Sequence, residues 1–286
     1  MTDNIHIVLD SVSAVTETEF INDPRVHLLR LVVTLGKDEW YDGDKPIEEM
    51  ISMIEKLGEL PKTSQPPIGD IHELFTSLVQ QGKKVIMVTM SSGLSGTYQG
   101  CVTVARQVMQ ENKGSDIRII DGKTCGCPLV GIAQTILAKA DAGCEDMDEL
   151  EAFGLGAVKR TRTYFTVDTL EYLRKGGRIG KASALLGSIL GIRPVLIMDK
   201  DGKVEAIDKC RTRKKVLQRL IDLNCEEKEV EQVFVCGSLC EDDMTMVEAK
   251  LKAAYPGVPS LKTSLGSVLT AHLGPGVLGA FVRVKE

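Results

Sequence analysis

The sequence predicts an α/β protein of two domains, the N-terminal one built on a mainly parallel sheet. Three observations lead there. Residues 85–90 form a nearly unbroken apolar run, followed by a loop of small residues over 91–96 and a helical segment over 97–110. A second apolar run at 117–120 restores the strand, and strands alternating with helices of this length favour βαβ units. Near Asp141-Ala142-Gly143 this rhythm loosens, which places a boundary near residue 152 and divides the chain into 1–152 and 153–286.

The elements follow in order. Ile5-His6-Ile7-Val8-Leu9 reads as a buried strand that opens at Asp10-Ser11 into a polar loop. Residues 28–35 are a second strand, 36–43 are turn-rich, and Pro46 starts a helix that runs through Lys56 and stops at Gly58. A helix over 71–81 ends at Gly82. Beyond the central unit, helices are expected near 130–140 and 149–159, a strand at 164–167, and an apolar helix between Ala182 and Ile192. The arms 195–198 and 204–207 form a hairpin across Asp199-Lys200-Asp201-Gly202. A basic helix at 212–223, a strand at 233–236, a helix at 242–254 and a last strand at 277–284 complete the chain.

Composition narrows the function. The chain has 286 residues, 43% hydrophobic and 26% charged, with only 4% aromatics. That is enough to bury a core of aliphatic side chains without disulfides or metals. A net charge of -5 argues against a general nucleic-acid binder. The longest apolar stretch of interest, 182–192, is too short to span a bilayer, which takes roughly 20 residues. The start at Met1 shows no signal peptide, and eight cysteines without an export signal imply reduced thiols, so the expected location is cytoplasmic.

Chemistry concentrates in the loops. Ser91-Ser92-Gly93-Leu94-Ser95-Gly96-Thr97 lies between a buried strand and a helix. Small residues let a ligand approach the backbone, and the amides at the helix start attract an anion. A simple N-cap would need one of these hydroxyls, so the surplus favours a site for a carboxylate or phosphate. The loop misses a hydrolase nucleophile elbow, because no glycine follows at Thr97. Thr63-Ser64-Gln65-Pro66-Pro67 reads by itself as a rigid capping turn. Gly176-Gly177-Arg178-Ile179-Gly180-Lys181 is not a phosphate loop, since Lys175 and Ala182 stand at two required positions. With Arg174, Lys175, Arg193, Lys209, Arg211, Arg213, Lys214 and Lys215 it makes a basic region suited to phosphate or an acidic partner. His272 stands alone among small residues in Ala271-His272-Leu273-Gly274. Cys125-Gly126-Cys127 lacks a second pair or a histidine at zinc spacing and reads as two buried thiols, so no metal is expected.

Taken together, Asp10-Ser11, Thr63-Ser64-Gln65-Pro66, Ser91 to Gln99, Leu173 to Lys181, Arg211-Thr212 and Ala271-His272-Leu273-Gly274 resemble the DegV family. Members of that family act as fatty-acid-binding subunits of bacterial fatty acid kinase. The resemblance implies two α/β domains with a long-chain fatty acid buried between them and no further cofactor. It implies that the carboxylate meets Thr63 and Ser95 with His272 close by, supported by Ser64, Ser91, Ser92, Gly96 and Thr97. It further implies that Arg178 and Arg211 face a separate kinase subunit, which converts the bound acid to an acyl phosphate for phospholipid synthesis. One departure is Val12, where the family usually has threonine after Asp-Ser; one hydroxyl is thereby lost.

Leu185, Leu186, Ile189, Leu190 and Ile192 are candidates to line the acyl tunnel, or else belong to the core. The competing reading is an enzyme subunit related to dihydroxyacetone kinases, with His272 holding a small carbonyl substrate. Against it, the chain offers no phosphate loop and no obvious acidic metal cluster. A purely structural or regulatory domain is the third reading.

Overall fold

The computed structural model describes residues 4–186 and 191–285. In chain order the elements are β1 (Ile5–Asp10), β2 (Val26–Leu29), β3 (Val32–Leu35), β4 (Asp38–Tyr41), α1 (Ile47–Leu57), β5 (Lys62–Ser64), α2 (Ile68–Gln80), β6 (Lys84–Thr89), α3 (Thr97–Glu111), β7 (Ile117–Asp121), α4 (Pro128–Asp141) and α5 (Met147–Arg160). Then follow β8 (Thr161–Thr166), α6 (Glu171–Lys175), β9 (Arg193–Met198), β10 (Val204–Cys210), α7 (Arg213–Cys225), β11 (Val230–Gly237), α8 (Glu241–Ala254), β12 (Ser260–Ser264), α9 (Ser267–Leu273) and β13 (Leu278–Val284).

The chain forms two compact units, and neither is continuous. The first is Met1–Val32 with Ser64–Lys159; the second is Val33–Thr63 with Arg160–Glu286. The single boundary expected near residue 152 therefore falls inside α5 and omits an excursion: the chain leaves the first unit at Val33 and returns at Ser64. The apolar run 28–35, expected as one strand, is two strands that belong to different sheets. Apolar content alone does not mark where a strand stops.

In the first unit β1, β2, β6 and β7 form a parallel sheet in the order β2-β1-β6-β7. All six residues of β1 are buried, as its apolar run requires. Helix α2 buries Ile71, Phe75 and Leu78 against Val85 and Met87 of β6, and α3 adds Cys101, Val104 and Val108 to the same core. The chain steps from β1 to β2 on one side, and β6 pairs with β1 on the other. Where connections diverge in this way, ligands bind beyond the carboxyl ends of the strands. Asp10 ends β1 there, and Ser91 follows β6.

The second unit holds a six-stranded sheet, β10-β9-β8-β13-β11-β12, antiparallel except for the β11–β12 pair. Val216 and Leu220 of α7 and Val247 and Leu251 of α8 pack on Val233, Val235, Ala280 and Val282 of that sheet. The expected hairpin is β9–β10; Asp199 accepts the N–H groups of Asp201 at 2.9 Å and Lys203 at 3.0 Å within its turn. The excursion adds a three-stranded sheet, β4-β3-β5. Strand β4 was expected as turn, because among its four residues only Trp40 points inward. The apolar helix expected from 182 is a 3-10 helix over Gly180–Leu185; Ile189 and Leu190 lie outside the described residues, and Leu186 is exposed. Among the described residues no helix is long and apolar enough to cross a membrane.

Candidate ligand-binding site

The expected hydroxyl loop lies at the diverging strand ends of the first unit. Ser91 is anchored from both sides: its N–H donates to the Thr124 carbonyl at 2.8 Å, and its hydroxyl accepts the Gly93 N–H at 3.1 Å. The Ser91 carbonyl accepts from Leu94 and Ser95, which curls the chain into the first turn of α3. Ser95 Oγ then accepts the Thr97 N–H at 3.2 Å and lies 2.9 Å from Thr97 Oγ1. Thr97 is fully buried, and the two hydroxyls share one hydrogen bond in which either can be the donor. A serine hydroxyl has one proton and two lone pairs. The Thr97 N–H engages one lone pair of Ser95 Oγ, and the Ser95 proton and other lone pair remain for the Thr97 hydroxyl and further partners.

Three residues outside the expected set brace this loop. The buried carboxylate of Asp10 accepts the Met90 N–H at 2.7 Å. Asp121 accepts the N–H groups of Ser92 at 3.0 Å and Lys123 at 3.1 Å and pairs with the Lys123 ammonium at 2.8 Å. Burial pushes the Asp121 carboxyl up, but these bonds outweigh it and hold it below the usual carboxylate range. Lys123 takes a left-handed backbone, φ 53°, to close this turn. The third is Gln65, whose side chain lies on α3 where Gly96 and Gly100 leave room; a Cβ at Gly100 would come within 3.0 Å of its Oε1. Val12 is buried in a 3-10 turn, and its carbonyl accepts the Gly126 N–H at 3.2 Å, so the segment stays tied without a hydroxyl.

Thr63 and Ser64 are not a capping turn. They lie in β5, and the start of α2 at Pro67 carries no side-chain cap. Thr63 belongs to the second unit, where its Oγ1 lies 2.7 Å from His272 Nε2. Ser64 is exposed at the return to the first unit. His272 lies in the last turn of α9, a helix that local propensity did not reveal. At its far end Asp42 accepts the Val268 N–H at 3.2 Å. Gly274 follows with φ 78° and lets the Tyr172 ring approach; a Cβ there would meet Tyr172 Cδ2 at 2.7 Å. Burial, with the nearby Arg178 charge adding to it, depresses the His272 pKa to about 4, so its imidazole is neutral near pH 7.

The basic region is less open than its sequence suggests. Arg174 and Lys175 pair with Glu171, Arg193 with Asp168, Lys181 with Asp199 and Glu205, and Arg213 with Asp168 and Asp243. Among the described residues Arg211, Lys214 and Lys215 make no ion pair and are exposed. Arg178 is exposed and donates to the Gly176 carbonyl at 2.6 Å. Of the two expected buried thiols, Cys127 is buried and Cys125 only half-buried.

These segments occur together along one chain, and the model of the DegV family matches residues 4–285. The chain belongs to the DegV family. Protein DegV of Bacillus subtilis is 31% identical over 285 residues, 96% of this chain and 98% of its own. Among solved structures, a DegV family protein from Thermus thermophilus, described for its fatty acid binding, has a TM-score of 0.86 at 25% identity, covering 99% of this chain and 100% of that one. DegV of B. subtilis, described as a fatty acid binding protein, has a TM-score of 0.85 at 27% identity, covering 99% of each chain. The mixed α/β architecture, with one parallel sheet and a second sheet, is the fold this DegV-family chain shares with them.

Proposed function

We propose that this DegV-family chain binds a long-chain fatty acid whose carboxylate receives hydrogen bonds from Thr63 and Ser95, with His272 behind Thr63. Ser91, Ser92, Gly96 and Thr97 shape the loop around it, and Ser64 flanks Thr63. The acid is then presented to a separate kinase that meets Arg178 and Arg211 and converts it to an acyl phosphate for phospholipid synthesis. The observation that carries this reading is the hydroxyl-rich loop at the strand ends, where Ser95 Oγ accepts the Thr97 N–H and shares a hydrogen bond with the Thr97 hydroxyl. The fatty acid binding described for the Thermus and Bacillus relatives supports the choice of ligand.

The energetics fit. Burying an acyl tail gives about 0.8 kcal/mol per CH₂, so a long acid gains roughly 10 kcal/mol before the costs of association. Neutral hydroxyl donors hold the head without a fixed cation, which suits a carrier that later exposes the carboxylate to a phosphoryl donor. No observation favours the dihydroxyacetone-kinase reading, in which His272 would bond a small carbonyl substrate; its Nε2 is engaged with Thr63.

Organic extraction of protein purified without detergent, followed by mass spectrometry, tests the ligand. A long-chain acid at near-stoichiometric amount is expected. Absence of acid, together with no binding of oleate to stripped protein, overturns the reading.

A further inference from the structure

His272 divides its imidazole between two different surroundings. Nε2 lies 2.7 Å from the Thr63 hydroxyl oxygen. Nδ1 is buried without a hydrogen-bond partner among the described residues. It faces Gly176, where an added Cβ would stand 2.5 Å from Nδ1 and 3.3 Å from Cε1. The adjacent Tyr172 carbonyl already accepts the Gly176 N–H at 2.8 Å.

A neutral imidazole carries one N–H and one lone pair. With the proton on Nδ1, a buried donor would point at a C–H group and lose its bond to water without replacement. With the proton on Nε2, the N–H donates to Thr63 and the Nδ1 lone pair meets the weakly polar Cα–H of Gly176. The second arrangement leaves no donor stranded.

We propose that Gly176 holds His272 as the Nε2–H tautomer, so that Thr63 accepts from the histidine and turns its own proton to the ligand. The two tautomers have opposite consequences. If Nε2 were unprotonated, it would take the Thr63 proton, and the threonine would offer an anion only lone pairs. With Nε2–H in place, the chain N–H to O–H to carboxylate runs one way, and each bond polarises the next. No proton is transferred. Gly176 is a positioning residue here: it acts on the ligand only through His272 and Thr63. Arg178 clasps the Gly176 carbonyl at 2.6 Å and so holds this turn against the ring. The ligand's identity rests on the fatty-acid reading; the tautomer does not.

The test is long-range ¹H–¹⁵N NMR on the full chain labelled with ¹⁵N-histidine, with His272→Gln used only to assign its signals. At pH 7 the expected pattern for His272 is a protonated Nε2 and an unprotonated Nδ1. A protonated Nδ1 overturns the inference, whether or not oleate binds. Failure of oleate to bind while Nε2 is protonated overturns the fatty-acid reading alone. In a second arm Gly176→Ala should displace the ring, abolish the single-tautomer pattern and weaken oleate binding about tenfold, the loss of one bond to a charged group. Retention of both the pattern and the affinity in that variant removes Gly176 from the role.

Discussion

The Asp42 carboxylate accepts the backbone N–H of Val268 across 226 positions of sequence. It caps α9 at the end opposite His272, while Thr63 meets that histidine directly. Both residues come from the excursion Val33–Thr63, so this one segment holds α9 at its two ends. The fit is close: a Cβ on Gly266 would come within 2.6 Å of Asp42 Oδ1.

Asp42→Ala should therefore loosen α9 and cost about 0.5–2 kcal/mol of stability, the usual range for a lost cap. Asp42→Asn keeps an acceptor oxygen and should recover most of that loss. Urea unfolding of the three proteins checks the order. Equal midpoints for the alanine variant and the parent would show that the bond does not hold the helix.

Ser95→Ala and Thr63→Val each remove one proposed donor to the carboxylate. Hydrogen bonds to charged groups are worth about 1.5–3 kcal/mol, so oleate affinity should fall roughly 10- to 100-fold in each. Titration of stripped protein with a fluorescent fatty acid measures it. Parent-like binding in both variants would place the carboxylate elsewhere.

The pH dependence has a definite sign. His27, stacked on His6 with ring nitrogens 2.8 Å apart, has its pKa depressed to about 4 by burial and by the His6 charge. His272 is depressed to about 4 as well. Both start from 6.5, so the unfolded chain binds protons more readily than the folded one. The stability they confer is complete above pH 6.5 and is lost as pH falls toward 4; for His272 the loss is on the order of 3 kcal/mol. Thermal melts from pH 7.5 to 4 should show falling midpoints across that window, with a shallower fall in His27→Gln. An identical slope in that variant would exclude His27 as a source.

Arg178→Ala and Arg211→Ala separate docking from binding. Acid affinity should stay close to that of the parent for Arg211→Ala, while acyl phosphate formation with added kinase and ATP should slow in both. Exposed charges act mainly on encounter and are screened by salt, so added salt should slow the parent more than either variant. Arg178→Ala should also raise the His272 pKa, since the guanidinium charge helps depress it; an NMR titration reads this. Unchanged phosphorylation in both variants would remove these arginines from the docking surface.

Much of the first unit was legible because its signals are local. The apolar runs of β1 and β6 and the serine-rich loop before α3 each announce themselves within ten residues, and the structure puts them where parallel strands end. The capping reading of Thr63-Ser64 failed because the bond that engages Thr63 is 209 positions away. Strands β4 and β12 were missed because they are short and mostly polar. The basic region was overstated, since Glu171 on the same short helix as Arg174 and Lys175, and Asp168, Asp199 and Asp243 from other segments, cancel much of its charge.

The sequence by itself determined the α/β alternation, the serine- and glycine-rich loop at Ser91–Thr97 and, through motifs spread along the chain, the family. Each of these depends on neighbours in sequence: apolar period, turn residues, and small side chains before a helix. Only the tertiary structure decided that Val33–Thr63 joins the second unit, that Asp42 and Thr63 hold the two ends of α9, and that His272 presents Nδ1 to Gly176. Hydrogen-bond direction depends on which lone pairs the fold has already filled, and that is a property of contacts between residues hundreds of positions apart.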